Sequence, residues 1–147
     1  MFRLIYISEA VHQMPDEAVI AIVQKSRRRN EANGLRGALL YHEGRFIHML
    51  EGPEAEVMAR FERLRLDPRH HSLQLLGTNG IDVPLCASGM EHHDIDALPQ
   101  DIAETLHEAL ALLNDLPPRD FSQPRPGRHQ PRPMRQVLPV FSGGLAA

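Results

Sequence analysis

The chain has no tryptophan, a single cysteine and no long apolar run. Each shortage excludes something. One thiol, Cys86, cannot form an internal disulfide, and it fits a reducing compartment, so a cytoplasmic location is expected. The longest apolar run, Ala18 to Val23, falls far below the ~20 residues that a membrane-spanning helix needs. Arg3, Glu9 and His12 interrupt what would otherwise be the apolar stretch of a signal peptide. A net charge of -3 gives no overall drive toward nucleic acid or a membrane surface.

What is present is an ordinary globular composition, 42% hydrophobic and 24% charged, over 147 residues. That length predicts one domain with a core of its own. The charge is uneven: from Pro117 onward there are five arginines against one acid. The same stretch holds seven of the twelve prolines and reads as an extended tail over 117–147, whose partner nothing in it names.

Phe2 to Ser8 reads as a strand apolar on both sides, hence central. Pro15 opens a helix, with Asp16 and Glu17 suited to its positive end. Its apolar stripe of Val19, Ile22 and Val23 turns polar at Ser26 and Asn30. Either the helix end is solvated there, or those two residues line a pocket. Asn33-Gly34 stops the helix. Leu35 to His42 and Arg45 to Glu51 read as a hairpin about Glu43-Gly44. A second helix starts at Gly52-Pro53 and stops near Leu66, because Pro68 cannot continue it. Ser72 to Asn79 is a fourth strand, and Asp82 to Met90 a weaker fifth at an edge or in irregular form. Leu98 to Leu116 reads as one amphipathic helix with the stripe Ile102, Leu106, Leu110 and Leu113.

The order predicts an α+β fold, a ferredoxin-like β-α-β-β-α-β sandwich with a fifth strand and a C-terminal helical extension. Its divisions are a core over 1–92, a helix over 93–116 packed on the sheet, and the tail. In that fold the first and third strands are central neighbours, which brings Tyr6 and His48 together under the groove between the two long helices. An imidazole in the middle of an apolar strand is either hydrogen-bonded in a core or facing a ligand. A tyrosine in such a strand is commonly a core residue with a satisfied hydroxyl. Ser26, Asn30, Asp67, Arg69 and His70 approach the same groove, a convergence that points to a ligand site. No nucleophile–base pair stands out, so no enzyme is expected. The pairs His70-His71 and His92-His93 lack the spacing of a zinc site, so no metal is expected.

These residues carry a resemblance. The series L-I-Y-x-S, S-R-x-x-N, G-x-x-G-x-L-x-Y, F-x-x-x-L-E-G-P and D-x-R-H, spread over residues 2–92, resembles the BLUF domain, a blue-light sensor that binds flavin. The resemblance implies FAD, with FMN or riboflavin as alternatives, held between the two helices. It implies that Tyr6 is the electron donor to the photoexcited flavin and that Asn30 bonds the flavin ring. Ser26, Asp67, Arg69 and His70 complete the pocket, and Met90 is a switch contact. His48 stands where the family keeps the glutamine that reorganises its hydrogen bonds in light, so an altered photocycle is expected. The tryptophan of the family's fifth strand is absent, with Ser88 near its position, and Arg36 replaces a common threonine. Signalling is expected through contact with a downstream protein, in a homo-oligomer. The rival reading is a light-independent interaction module that kept the fold and lost flavin photochemistry.

Overall fold

The computed structural model describes residues 1–122. The expected tail falls outside the described residues beyond Ser122. The elements in order are β1 (Phe2–Ala10), α1 (Asp16–Ala32), β2 (Arg36–His42), β3 (Arg45–Gly52), α2 (Glu54–Arg65), β4 (His70–Gly80), β5 (Glu91–His92), α3 (Gln100–Thr105) and α4 (His107–Asp115), with a short 3-10 turn at Ile95–Ala97. They form one sheet in the order β4-β1-β3-β2-β5. Its first four strands are antiparallel neighbours, and β5 runs parallel to β2. This is the expected ferredoxin-like arrangement with a fifth strand added.

The interior is double. Leu4, Tyr6, Leu39, Phe46 and Leu50 pack with Val23 of α1 and Val57 and Phe61 of α2 on one face of the sheet. Ile5, Ile7, Ile47 and Met49 pack on the other with Ile102, Leu106, Ala109 and Leu113. Covering both faces requires apolar residues at successive positions in the central strands, and every residue of β3 is buried.

Local chemistry sets the boundaries. Asp16 and Glu17 occupy the first turn of α1 and Arg29 its last, matching the helix dipole. Gly34 leaves that helix at φ +68°, which lets Leu35 N–H reach back to Asn30 O at 2.8 Å. Glu43 and Gly44 both take positive φ in the two-residue turn between β2 and β3.

Of the two forms expected for Asp82 to Met90, the irregular one is found, with one bridge between Ser88 and Arg36, and the edge ladder on β2 forms only beyond it at Glu91–His92. Pro84 and the run Ala87-Ser88-Gly89 deny it a regular ladder, and Gly89 sits at φ +85°. One expectation is corrected: the C-terminal helix is not continuous. It breaks at Leu106, whose φ of -96° and ψ of 6° part α3 from α4 while its side chain stays fully buried. The break turns Ala109 onto the sheet and leaves Leu110 only partly covered. A stripe chosen by side-chain size favours Leu110, but an alanine fits where a helix lies close to a sheet.

Candidate functional site

Tyr6 and His48 are direct partners in the register between β1 and β3. Both side chains rise on the face covered by α1 and α2, and the Tyr6 hydroxyl lies 2.7 Å from His48 Nδ1. The bond admits two tautomers. If Nδ1 carried the proton, both the Tyr6 hydroxyl hydrogen and the Nε2 lone pair would lack partners among the described residues. If Tyr6 donates to Nδ1, only the Nε2–H is left over, so the second arrangement is assigned. His48 thereby offers a single donor, the Nε2–H, on the ring edge away from Tyr6.

Burial governs the charge of this pair. It pushes the Tyr6 hydroxyl well above the ordinary tyrosine range. Burial first, then the Arg60 cation and the neighbouring His70, hold the His48 imidazole down to about 3, so it is neutral near pH 7. Arg60 of α2 is itself 8% exposed, with Nε unpartnered among the described residues.

The pair forms the floor of a cleft of about 450 Å³, counted with its open mouth, lined also by Ser26, Asp67, Arg69, His70 and Met90. Seven of the eight residues singled out from the sequence therefore meet in one place. Asp67 and Arg69 form a clasp at the mouth, with Nε to Oδ1 at 2.9 Å, and the guanidinium is the main cause holding the Asp67 carboxyl down to about 2. His70 is fully engaged. Its Nε2–H donates to Leu64 O at 2.6 Å, and its Nδ1 accepts from Ser8 Oγ at 2.8 Å. It shapes the wall and has no ring nitrogen left for a ligand.

Asn30 is the exception. It is fully buried and lies outside the cleft lining, with Nδ2 donating to Gly89 O at 3.3 Å. Its Oδ1 has no partner among the described residues. Arg27 Nε donates to the neighbouring carbonyl, Met90 O, at 3.0 Å, so α1 grips the segment that carries Met90 into the cleft. A second cavity of about 330 Å³ between the helices is lined by Arg29, Arg60 and Arg63, with Asn33 and Glu56.

Sequence reasoning overlooked the apolar lining, Ile22, Leu39, Phe46 and Leu64. The alternation that places His48 on the helix side also places Phe46 there, so that signal was available. It also overlooked Glu51, which is fully buried and holds three partners at once. Arg3 donates to it at 2.8 Å, and the backbone N–H groups of Leu85 and Cys86 reach it at 3.0 and 3.1 Å. Nothing local in the sequence marks those backbone partners. Among the described residues there is no cluster of three metal-ligating side chains. Nor is any helix there long and apolar enough to cross a membrane.

A ferredoxin-like sandwich with a part-apolar cleft between its helices, floored by a tyrosine–histidine pair, defines a ligand-binding sensor domain. The chain belongs to the BLUF family, sensors of blue light using FAD, whose family model matches residues 1–84. It is 30% identical over 116 residues to the photoactivated adenylate cyclase subunit alpha of Euglena gracilis, covering 79% of this chain and 10% of that protein. It thus spans about a tenth of that curated relative's length. The fold is shared with BlsA in its photo-activated state, at TM-score 0.57 and 26% identity, covering 74% of this chain and 77% of that one. It is shared also with Klebsiella pneumoniae BlrP1 with FMN and cyclic diGMP, at TM-score 0.59 and 27% identity, covering 78% of this chain and 31% of that one. The matched region is a flavin-binding, signalling sensor domain and not a catalytic one.

Proposed function

We propose that the flavin sits in the cleft between α1 and α2 with its ring over the Tyr6–His48 pair, and that His48 alters the photocycle. The observation that carries this reading is the unpartnered Nε2–H of His48, a lone donor in a site whose other polar groups are largely paired. It suits an acceptor such as a ring carbonyl. The orphaned Oδ1 of Asn30 beside the Met90 segment supports the same view. Ser26 and the Asp67–Arg69 clasp would flank the ring, and Arg29, Arg60 and Arg63 would face its phosphates. When bound, the flavin supplies absorption of blue light and an electron-accepting ring.

The chain's own part is to position a proton and a donor. Tyr6 holds its proton against Nδ1 in a dry environment where neither partner ionises near pH 7. A glutamine amide can exchange donor for acceptor by rotating. An imidazole bonded to Tyr6 through Nδ1 cannot do so without breaking that bond. The reversible red-shifted state of the family is therefore expected to be missing. Signalling is read as contact with a downstream protein and with a second copy of this chain, in the cytoplasm, where a buried free thiol is at home.

The reading of the chain as a degenerate, light-independent module is not favoured, because the lining and its unpartnered groups are those of a ligand site. Purified protein is expected to be yellow, or to take up FAD, FMN or riboflavin with a structured flavin spectrum. A colourless protein that takes up none overturns the proposal.

A further inference from the structure

The chain after α4 folds back across the sheet and grips one corner of it. Arg119 donates to Glu9 Oε2 at 3.0 Å and to Ala10 O at 2.6 Å, and lies 3.4 Å from His71 Nε2. Its guanidinium stacks over the Phe121 ring at 5.1 Å. That ring rests on Gly44 in the turn between β2 and β3, where an added methyl group would run into it. The same turn accepts the Ala10 N–H at Gly44 O, 2.8 Å away. The segment therefore spans the end of β1, the start of β4 and the hairpin turn together.

Side chains alternate along a strand, so the two strands that hold this segment on one side hold the cleft wall on the other. Ser8 and His70 bond each other on the cleft side. Glu9 and His71, register partners and their immediate neighbours, meet Arg119 on the opposite side. Between them the pairing slips from Ile7↔Gln74 to Glu9↔His71, leaving one extra residue in β4. Ser72, within that bulge, takes φ +55°, an uncommon conformation for a residue with a side chain. An irregular joint thus separates this corner from the rest of β4.

We propose that the segment 117–122 is a releasable latch, held at Glu9, His71 and Gly44, whose grip is coupled through the bulged corner to the Ser8–His70 bond in the cleft wall. A change in how His70 is held moves the backbone it shares with His71, and with it the acceptors of Arg119. The state of the cleft is passed in this way to the chain that follows. The proposal rests on the cleft being the ligand site. Because coupling between two sites is reciprocal, either end can be tested without a ligand.

Hydrogen exchange on the ligand-free full chain supplies the test, so its failure is separate from any failure of flavin uptake. Ser8→Ala is expected to speed exchange at 119–122 by about fivefold or more, the lower range of allosteric couplings, with exchange in α3 and α4 unchanged. Ser8→Thr, which keeps the hydroxyl, should restore the slow rate. Arg119→Gln should in turn speed exchange at 69–73. Unchanged exchange at 119–122 in Ser8→Ala overturns the latch, as does equal loosening of α3 and α4. If Ser8→Ala does not fold, the Arg119→Gln arm decides alone, and unchanged exchange at 69–73 in that variant overturns it.

Discussion

Tyr6 and His48 meet across two central strands through a 2.7 Å hydroxyl–imidazole bond that leaves one imidazole N–H for a ligand. Under the proposed function the flavin ring lies over this pair, whose imidazole is a rigid ring.

His48→Gln is the direct test of that rigidity. The fold is expected to survive, because an amide of similar reach can take the Tyr6 proton and still donate into the cleft. A reversible red-shifted state should then appear in the light-minus-dark spectrum of the flavin-loaded variant and be missing from the unsubstituted protein. A normal difference spectrum from the unsubstituted protein would refute the role given to the imidazole.

Asn30→Ala removes both the bond to Gly89 and the orphaned carbonyl oxygen. Flavin retention through gel filtration is expected to fall, with a thermal midpoint lowered by only a few degrees, as about 1 kcal/mol implies for a chain of this size. Undiminished flavin occupancy would remove Asn30 from the site.

Glu51→Ala should be far more damaging. The carboxylate is fully buried and joins Arg3 to the backbone of Leu85 and Cys86, so its removal strands a cation and two N–H groups. Breaking a buried pair of this kind costs about 3–5 kcal/mol. Urea unfolding should show that loss, and a change below about 1 kcal/mol would mean that water replaces the carboxylate.

Acid should weaken the fold through its buried histidines. Burial lowers the folded-state values of both His48 and His70, whereas unfolded histidine titrates near 6.5. Between those limits the unfolded chain binds more protons, so stability is complete above about pH 6.5 and falls as pH drops below it. Each histidine contributes a slope of up to about 1.4 kcal/mol per pH unit. For His48 that slope continues toward about 3. The Asp67 carboxyl, held down to about 2, adds a later loss, present above its unfolded value near 3.9 and fading between the two. Urea unfolding at pH 7, 6 and 5 should show the decline, and it should be shallower in His48→Gln.

Much of this was legible in the residues. The order of apolar periods identifies the sandwich, because a central strand must be apolar on both sides and a two-residue turn at Glu43-Gly44 fixes the hairpin register. The sandwich order then makes β1 the other neighbour of β3, which sets Tyr6 opposite His48, and the rest of the cleft follows from the helix positions. What stayed hidden depends on backbone in three dimensions. Segment 82–90 reads as a weak strand or an irregular stretch, and what holds it comes from elsewhere in the chain: Glu51, Arg27, Asn30 and Arg36. The break at Leu106 carries no glycine or proline to announce it. Asn30 lies on the helix face that the periodicity gave it, but it turns toward Gly89 instead of the cleft. Arg119, in a stretch that reads as extended tail, is tied to residues more than a hundred positions earlier.

The lone thiol has a practical side. Cys86 is buried, and burial together with Glu51 pushes its ionisation far above the ordinary range, so it presents no reactive thiolate near pH 7. The chain is in effect a cysteine-free background. A cysteine introduced at Ser122 would be the one position open to a thiol-directed dye, and the movement of a single corner could be followed optically in the otherwise unaltered protein.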